Sequence, residues 1–184
     1  MVRTVLRLAA IASLFIAGFT VTPTTAAWAE ADCSPPQEKT FSLPGKPDVW
    51  VGAELCVYTR GTGNNQKQAI LSINWQGSFL GGTRFDKFIA EVRVERYDII
   101  YGNEQCNWKS DLNSISDSEG RMWDCYAYYN SSLNGGWTAD GRIIYNINND
   151  GKGDMIWDLT GSGQVAVAPD GTETEQPSTE EPTS

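Results

Sequence analysis

The chain predicts an all-β fold, an antiparallel β-sandwich or barrel of about seven to nine strands braced by two disulfides. Three observations carry that expectation. Apolar residues recur at every second position through several runs after Val49, turns rich in Gly and Asn separate those runs, and no segment beyond residue 29 keeps a helical period. Four cysteines in a chain that opens with an export signal supply the staples.

The signal is read from its three parts. Arg3 and Arg7 form a positive n-region, Leu8 to Phe19 an apolar h-region, and Ala27-Trp28-Ala29 a small-x-small cleavage site. A mature protein starting near Glu30, secreted and extracellular, is the expectation. The h-region is short and runs into Pro23 and threonines, and no later run approaches the roughly 18 apolar residues of a membrane helix, so no membrane insertion is expected. Glu30-Ala31-Asp32 before Cys33 also lacks the small apolar residues that precede a lipidated cysteine.

Residues 30–47 hold Ser34-Pro35-Pro36 and Pro44-Gly45-Lys46-Pro47 and read as an irregular leader with at most one short strand, Lys39 to Leu43. Strand periods follow at Glu54 to Arg60, Gln68 to Trp75 and Phe85 to Tyr97. In the last of these Phe88, Ala90, Val92 and Val94 alternate with Ile89, Glu91, Arg93 and Glu95, one face for the core and one for water. Gly61 to Asn65 and Gly77 to Gly82 read as turns. The polar stretch Lys109 to Gly120 is expected to be a short helical turn or a mobile loop, and strand character returns at Arg121 to Tyr129. Arg142 to Ile147 and Asp154 to Leu159 flank a turn containing Asp150-Gly151, a strong hairpin signal. From Ala168 the chain is acidic, without aromatics, and expected to be disordered. The organisation is thus a signal (1–29), a leader (30–47), a sandwich domain (48–167) and a tail (168–184).

Cys33, Cys56, Cys106 and Cys125 allow three connectivities. The nearest partners, 33 with 56 and 106 with 125, are favoured; each would close a loop of roughly 20 residues and contribute about 3 kcal/mol by the chain-entropy estimate. No C-x-x-C spacing supports zinc or a redox pair.

The chain carries 14 basic and 23 acidic side chains, a net charge of −9, and no histidine. That charge disfavours nucleic acid and anionic membranes as partners. The missing imidazole removes Ser-His-Asp and Cys-His nucleophile systems. Carboxylate pairs remain for acid/base work, but Glu91 and Glu95 stand about 13 Å apart by strand rise, too far for either glycosidase geometry. With Arg93 between them they read as a charged face with cross-strand ion pairs. Asp124, Asp140 and Asp158 have no partner identifiable from spacing.

Asn146, Asn148, Asp150 and Asp154, with Gly151 in the turn, follow the oxygen spacing of calcium loops in EF-hand and propeller-type repeats. Asn146 replaces the acidic first ligand and Trp157 stands where an EF-hand has its bidentate Glu. A plain hairpin turn is the first reading and a weak calcium site the second; no other cofactor is expected. Asn130-Ser131-Ser132 fits a glycosylation sequon and is assigned no role.

Trp50, Trp75, Trp108, Trp123, Trp137 and Trp157, with seven tyrosines, give a heavy aromatic load. Trp75 and Trp157 lie in apolar strand contexts and read as core. Trp108 and Trp137 sit among Asn, Lys, Ser and Gly, so they and Tyr126, Tyr128 and Tyr129 are the candidates for an exposed ligand platform, against the ordinary role of Trp as core filler.

The signal, the small disulfide-bonded β-domain and the phrase Asp140-Gly-Arg-Ile-Ile-Tyr-Asn-Ile-Asn-Asn-Asp-Gly-Lys-Gly-Asp together resemble uncharacterised small secreted proteins of Streptomyces-type actinobacteria. The resemblance spans most of the mature domain in style, without a diagnostic motif, and implies no activity. The functional expectation is a secreted, non-enzymatic binding protein that recognises polysaccharide or an extracellular protein of the cell envelope. The alternatives are a protease-inhibitor-like protein with residues 107–124 as bait, and a carboxylate-based glycoside hydrolase. Oligomeric state is not legible.

Overall fold

A computed structural model describes residues 30–60, 65–77, 82–114 and 121–165. Among them are nine strands and one short helix: β1 Glu30–Cys33, β2 Gln37–Phe41, β3 Val49–Arg60, β4 Gln66–Gly77, β5 Phe85–Arg96, β6 Ile99–Asn107, α1 Lys109–Ser114, β7 Trp123–Asn130, β8 Trp137–Ile147 and β9 Met155–Asp158. They form two antiparallel sheets, β1-β3-β4-β7 with β2 also on β3, and β6-β5-β8-β9. The all-β sandwich read from periodicity is the observed fold. Residues 1–29, read as a signal, the expected turns at 61–64 and 78–81, residues 115–120 and residues 166–184 with the expected tail lie outside the described residues.

Alternation builds the core. Val49, Val51, Ala53, Leu55 and Val57 of β3 are all at most 3% exposed and meet Phe88, Ala90, Val92 and Val94 of β5, each at 0%. The inward phase expected for β5 is the phase observed. Trp75, Phe41 and Phe85 belong to the same buried cluster, with Phe41 edge-on to Phe85, Phe88 and Tyr145. Burial of side chains this size contributes about 1.5–3 kcal/mol each.

The Pro-rich leader departs from expectation, because it supplies two edge strands to the first sheet. β1 runs beside Cys56–Thr59 and β2 beside Val49–Ala53, both on the same edge of β3. Pro35 and Pro36 cannot donate to a ladder, which breaks the edge strand in two. Ser34 spans the break: its backbone N–H donates to the Leu55 carbonyl at 2.7 Å and its hydroxyl accepts from the Leu55 N–H at 3.1 Å.

β6 has no counterpart among the strands expected from periodicity. It is an edge strand, mostly exposed, and its Gly102-Asn103-Glu104-Gln105 stretch shows no apolar alternation. The turn into it is made by Tyr97 and Asp98 at φ 50° and 61°, a left-handed pair that usually announces itself by Gly or Asn. The final hairpin, β8 with β9, pairs Tyr145 with Met155 through Arg142 with Asp158, as expected.

The disulfides join the favoured pairs. Cys33–Cys56 links neighbouring strands β1 and β3, whereas Cys106–Cys125 links β6 of one sheet to β7 of the other. Close to it, a Cβ on Gly102 would lie 2.6 Å from the Tyr128 carbonyl, so the two sheets nearly touch along this side. Among the described residues no helix is long and apolar enough to cross a membrane.

Candidate functional site

Inward burial of every second β3 residue turns Trp50, Gly52, Glu54, Cys56, Tyr58 and Arg60 to the outer face of the first sheet. Register adds the neighbours. Glu54, Ser72 and Asp124 form one row across β3, β4 and β7; Cys56, Ile70 and Tyr126 form the next; Tyr58, Gln68 and Tyr128 form a third. From Trp50 to Arg60 the face is about 33 Å long by strand rise.

One end of the face is aromatic. Tyr126 and Tyr128 are 38% and 51% exposed, and their rings stand 6.2 Å apart at an interplanar angle of 15°. Both are held in place. The Tyr126 hydroxyl donates to Asp124 Oδ2 at 2.7 Å, while the Ser72 hydroxyl donates to Asp124 Oδ1 at 2.6 Å. The hydrogen bond to Asp124, aided by partial desolvation and the Asp124 charge, pushes the Tyr126 phenol up to about 12. Buried Gln68 donates its amide to the Tyr128 hydroxyl at 3.1 Å. Tyr58 lies across Gln68 from Tyr128, with the Arg60 guanidinium 4.9 Å from its ring centroid.

The other end is a groove of about 200 Å³, lined by Pro36, Trp50, Gly52, Glu54, Asn74 and Met122 among others. Gly52 is its floor. A Cβ there would meet Asn74 Oδ1 at 2.5 Å and Trp50 Cη2 at 2.9 Å, so only hydrogen lets the indole and the amide close over the strand. The indole N–H donates to Glu38 at 3.3 Å, which fixes the plane of the ring. Glu54 and Asn74 make no side-chain hydrogen bond or ion pair among the described residues. Half-buried planar groups with unspent capacity beside an aromatic ring suit a hydroxyl-rich ligand.

The five aromatic candidates divide. Tyr126 and Tyr128 belong to the face. Tyr129 points the other way, 5.1 Å from Tyr101 and 5.9 Å from Trp137 between ring centroids. Trp108 and Trp137 are corrected outright: at 6% and 0% exposure they are core residues and offer no contact surface. Trp137 starts β8 in its inward phase and gives its indole N–H to the Leu133 carbonyl at 2.8 Å. For Trp137, first residue of β8, the polar Thr138 beside it faces the opposite side of the strand; Trp108 lies between β6 and α1, where its backbone N–H donates to the Phe88 carbonyl at 3.0 Å and holds it against the core. Trp50 and Tyr58 were not singled out, although the signal was present as the positions alternating with Val49, Val51, Ala53, Leu55 and Val57.

The 146–154 segment is a hairpin turn whose oxygens face donors of the chain. Asp154 accepts from the Lys87 ammonium and, at 3.2 Å, from the Asn146 amide. Those two bonds hold its carboxyl below the usual range. Asn148 Oδ1 accepts from Lys46 at 3.2 Å and from Asn149 at 2.9 Å; Asp150 Oδ1 caps the Lys152 N–H at 2.9 Å, leaving Asp150 Oδ2 without a partner. Among the described residues the one grouping of three Cys, Asp or Glu ligand atoms is Cys33, Glu54 and Cys56, and both sulfurs are already bonded to each other.

The outer face of the second sheet, expected to be wet, holds a packed ion network instead. Glu91 and Glu95 are 7% and 6% exposed. Arg93 bridges Glu95 at 2.7 Å, Asp140 at 2.9 Å and Glu91 at 3.6 Å, and Arg142 adds a contact to Glu91 at 3.0 Å. Burial pushes Glu91 up, but hydrogen bonds from Gln105 and Arg142 and the charges of Arg142 and Arg93 overcome it and hold the carboxyl low. For Glu95, burial and the Asp140 charge outweigh Arg93 and push the carboxyl up. Each carboxylate here has a cation, which is the cross-strand pairing expected and gives no open acid/base pair. Half of the 107–124 bait segment is likewise tied down, with Leu112 at 0% exposure and Asn113 Oδ1 accepting the Arg84 and Phe85 N–H groups at 2.7 and 3.0 Å. No protein-family model, curated protein or solved structure matches the chain.

Proposed function

We propose that the protein is a secreted, non-enzymatic domain that binds polysaccharide along the outer face of its five-stranded sheet. The observation that carries this reading is the exposed pair Tyr126 and Tyr128, whose rings are nearly parallel, on one face with Tyr58 and Trp50. Flat rings stack on the apolar faces of sugars, and Asn74 and Glu54 on the same face offer planar polar groups that hydroxyls can bond. Preorganisation supports affinity, because Asp124 and Gln68 already hold both phenols and little side-chain entropy is lost on contact. The export signal and two disulfides agree with work outside the cell.

The test is retention of the purified protein on insoluble chitin, cellulose and peptidoglycan, with Tyr126→Ala/Tyr128→Ala beside the wild type. Truncating an aromatic contact costs on the order of 1–2 kcal/mol, so the double variant is expected to lose about a hundredfold in affinity. Wild-type protein left in the supernatant by every glycan would sink the proposal.

A further inference from the structure

We infer that the groove at the Trp50 end is a subsite for a cationic amino sugar, a hexose ring bearing a free ammonium group. The inference rests on the polysaccharide reading of the same face and narrows it to one chemistry.

Size sets the first limit. At about 200 Å³ the groove falls below the roughly 300–1,000 Å³ that enclose a drug-sized ligand, so it takes a single ring. Charge sets the second. Glu38 and Glu54 line the groove and, among the described residues, no lysine or arginine does, which selects against uronic acids and sulfated sugars. The two carboxylates are not equivalent. Glu38 accepts the Trp50 indole N–H and so serves to hold the ring, whereas Glu54 has no hydrogen bond or ion pair among the described residues. Glu54 also stands within 4.8 Å of the Cys33 and Cys56 sulfurs, a covalent wall that offers it no donor.

A half-buried carboxylate with an open side is completed best by a donor that carries positive charge. A neutral sugar presents only hydroxyls to it. An amino sugar presents an ammonium group to Glu54 while the apolar ring face lies on Trp50 and Asn74 bonds a hydroxyl across the Gly52 floor.

The experiment compares a short glucosamine oligomer with its fully N-acetylated counterpart, which lacks the charge, by titration calorimetry. The wild type is expected to bind the deacetylated oligomer about tenfold more tightly, the equivalent of one charge-assisted bond. Glu54→Gln is expected to abolish that preference. Glu104→Gln, which removes one exposed charge from the other sheet, is expected to preserve it. Equal affinity for the two oligomers overturns the subsite, as does an equal effect of the two Gln variants, which would reduce the preference to attraction by net charge. In either case retention on neutral glycans through Tyr126 and Tyr128 still stands or falls by itself, so failure of the subsite is distinguishable from failure of the face.

Discussion

Replacing Arg93 with methionine keeps an unbranched side chain on β5 and removes the one cation that touches Glu95, Glu91 and Asp140 together. The side chains of Glu95 and Glu91 are 8% and 10% exposed, and that of Arg93 is 21% exposed. Glu91 retains Arg142 and Gln105, but Glu95 is left beside the Asp140 charge with no cation in contact among the described residues. Stranding a buried carboxylate costs about 3–5 kcal/mol. Arg93 is partly wet and Asp140, a third exposed, adds little, so the expected loss is about 2–3 kcal/mol near neutral pH. The deficit should depend on pH. Glu95 is already raised in the folded protein by burial first and by Asp140 second, and losing Arg93 raises it further. A carboxyl whose folded pKa lies above its unfolded value favours folding when protonated, and that contribution is lost as pH rises through the folded pKa. The deficit relative to wild type is therefore greatest near neutrality and narrows as acidification protonates Glu95. Urea unfolding of both proteins at about pH 7 and at about pH 4 measures it. An equal deficit at both values, or none, would refute the electrostatic reasoning and leave Arg93 as a packing residue.

Three further outcomes are expected. Cys106→Ala/Cys125→Ala opens a 19-residue separation and frees one sheet from the other, so unfolding should become easier by about 3 kcal/mol; an unchanged urea midpoint would contradict this. Gly52→Ala places a methyl among Asn74 and Trp50, and should cost about tenfold in binding of the deacetylated oligomer, by displacing the groove's contacts, while thermal unfolding remains cooperative. Unaltered affinity would show that the groove is not used. Millimolar calcium should leave the melting temperature where a chelator leaves it, because Lys87, Lys46 and the Lys152 N–H already occupy one oxygen each of Asp154, Asn148 and Asp150; a rise with calcium would restore the loop as a metal site.

What the sequence made legible was local. The alternation from Phe88 to Val94, the Asp150-Gly151 turn and the proximity of the cysteine pairs each depend on neighbours in the chain, and each is found in the fold. β6 escaped because an exposed edge strand needs no apolar alternation and because Tyr97 and Asp98 adopt positive φ without Gly. β1 and β2 escaped because their order comes from β3, through register and Ser34, and not from their own composition. The candidate site was half legible. Tyr126 and Tyr128 could be named, yet their alignment with Tyr58 depends on β4 carrying Gln68 between β3 and β7. Trp50, Glu54 and Asn74 meet over Gly52 only through the pairing of Gly52 with Asn74, 22 positions apart in sequence. Trp137 failed as a contact because a polar neighbour in a strand describes its other side, and Trp108 because the link between β6 and α1 turns it into the core despite its polar neighbours.

The central claim, that the outer face of the five-stranded sheet is a glycan platform, is tested most directly by affinity electrophoresis through gels carrying soluble glycans, with wild type beside Tyr126→Ala/Tyr128→Ala. At least one glycan is expected to retard the wild type and to leave the double variant running as it does in a blank gel, with both proteins unfolding at similar temperatures. Equal retardation of the two proteins, or retardation of neither by any glycan, would contradict it.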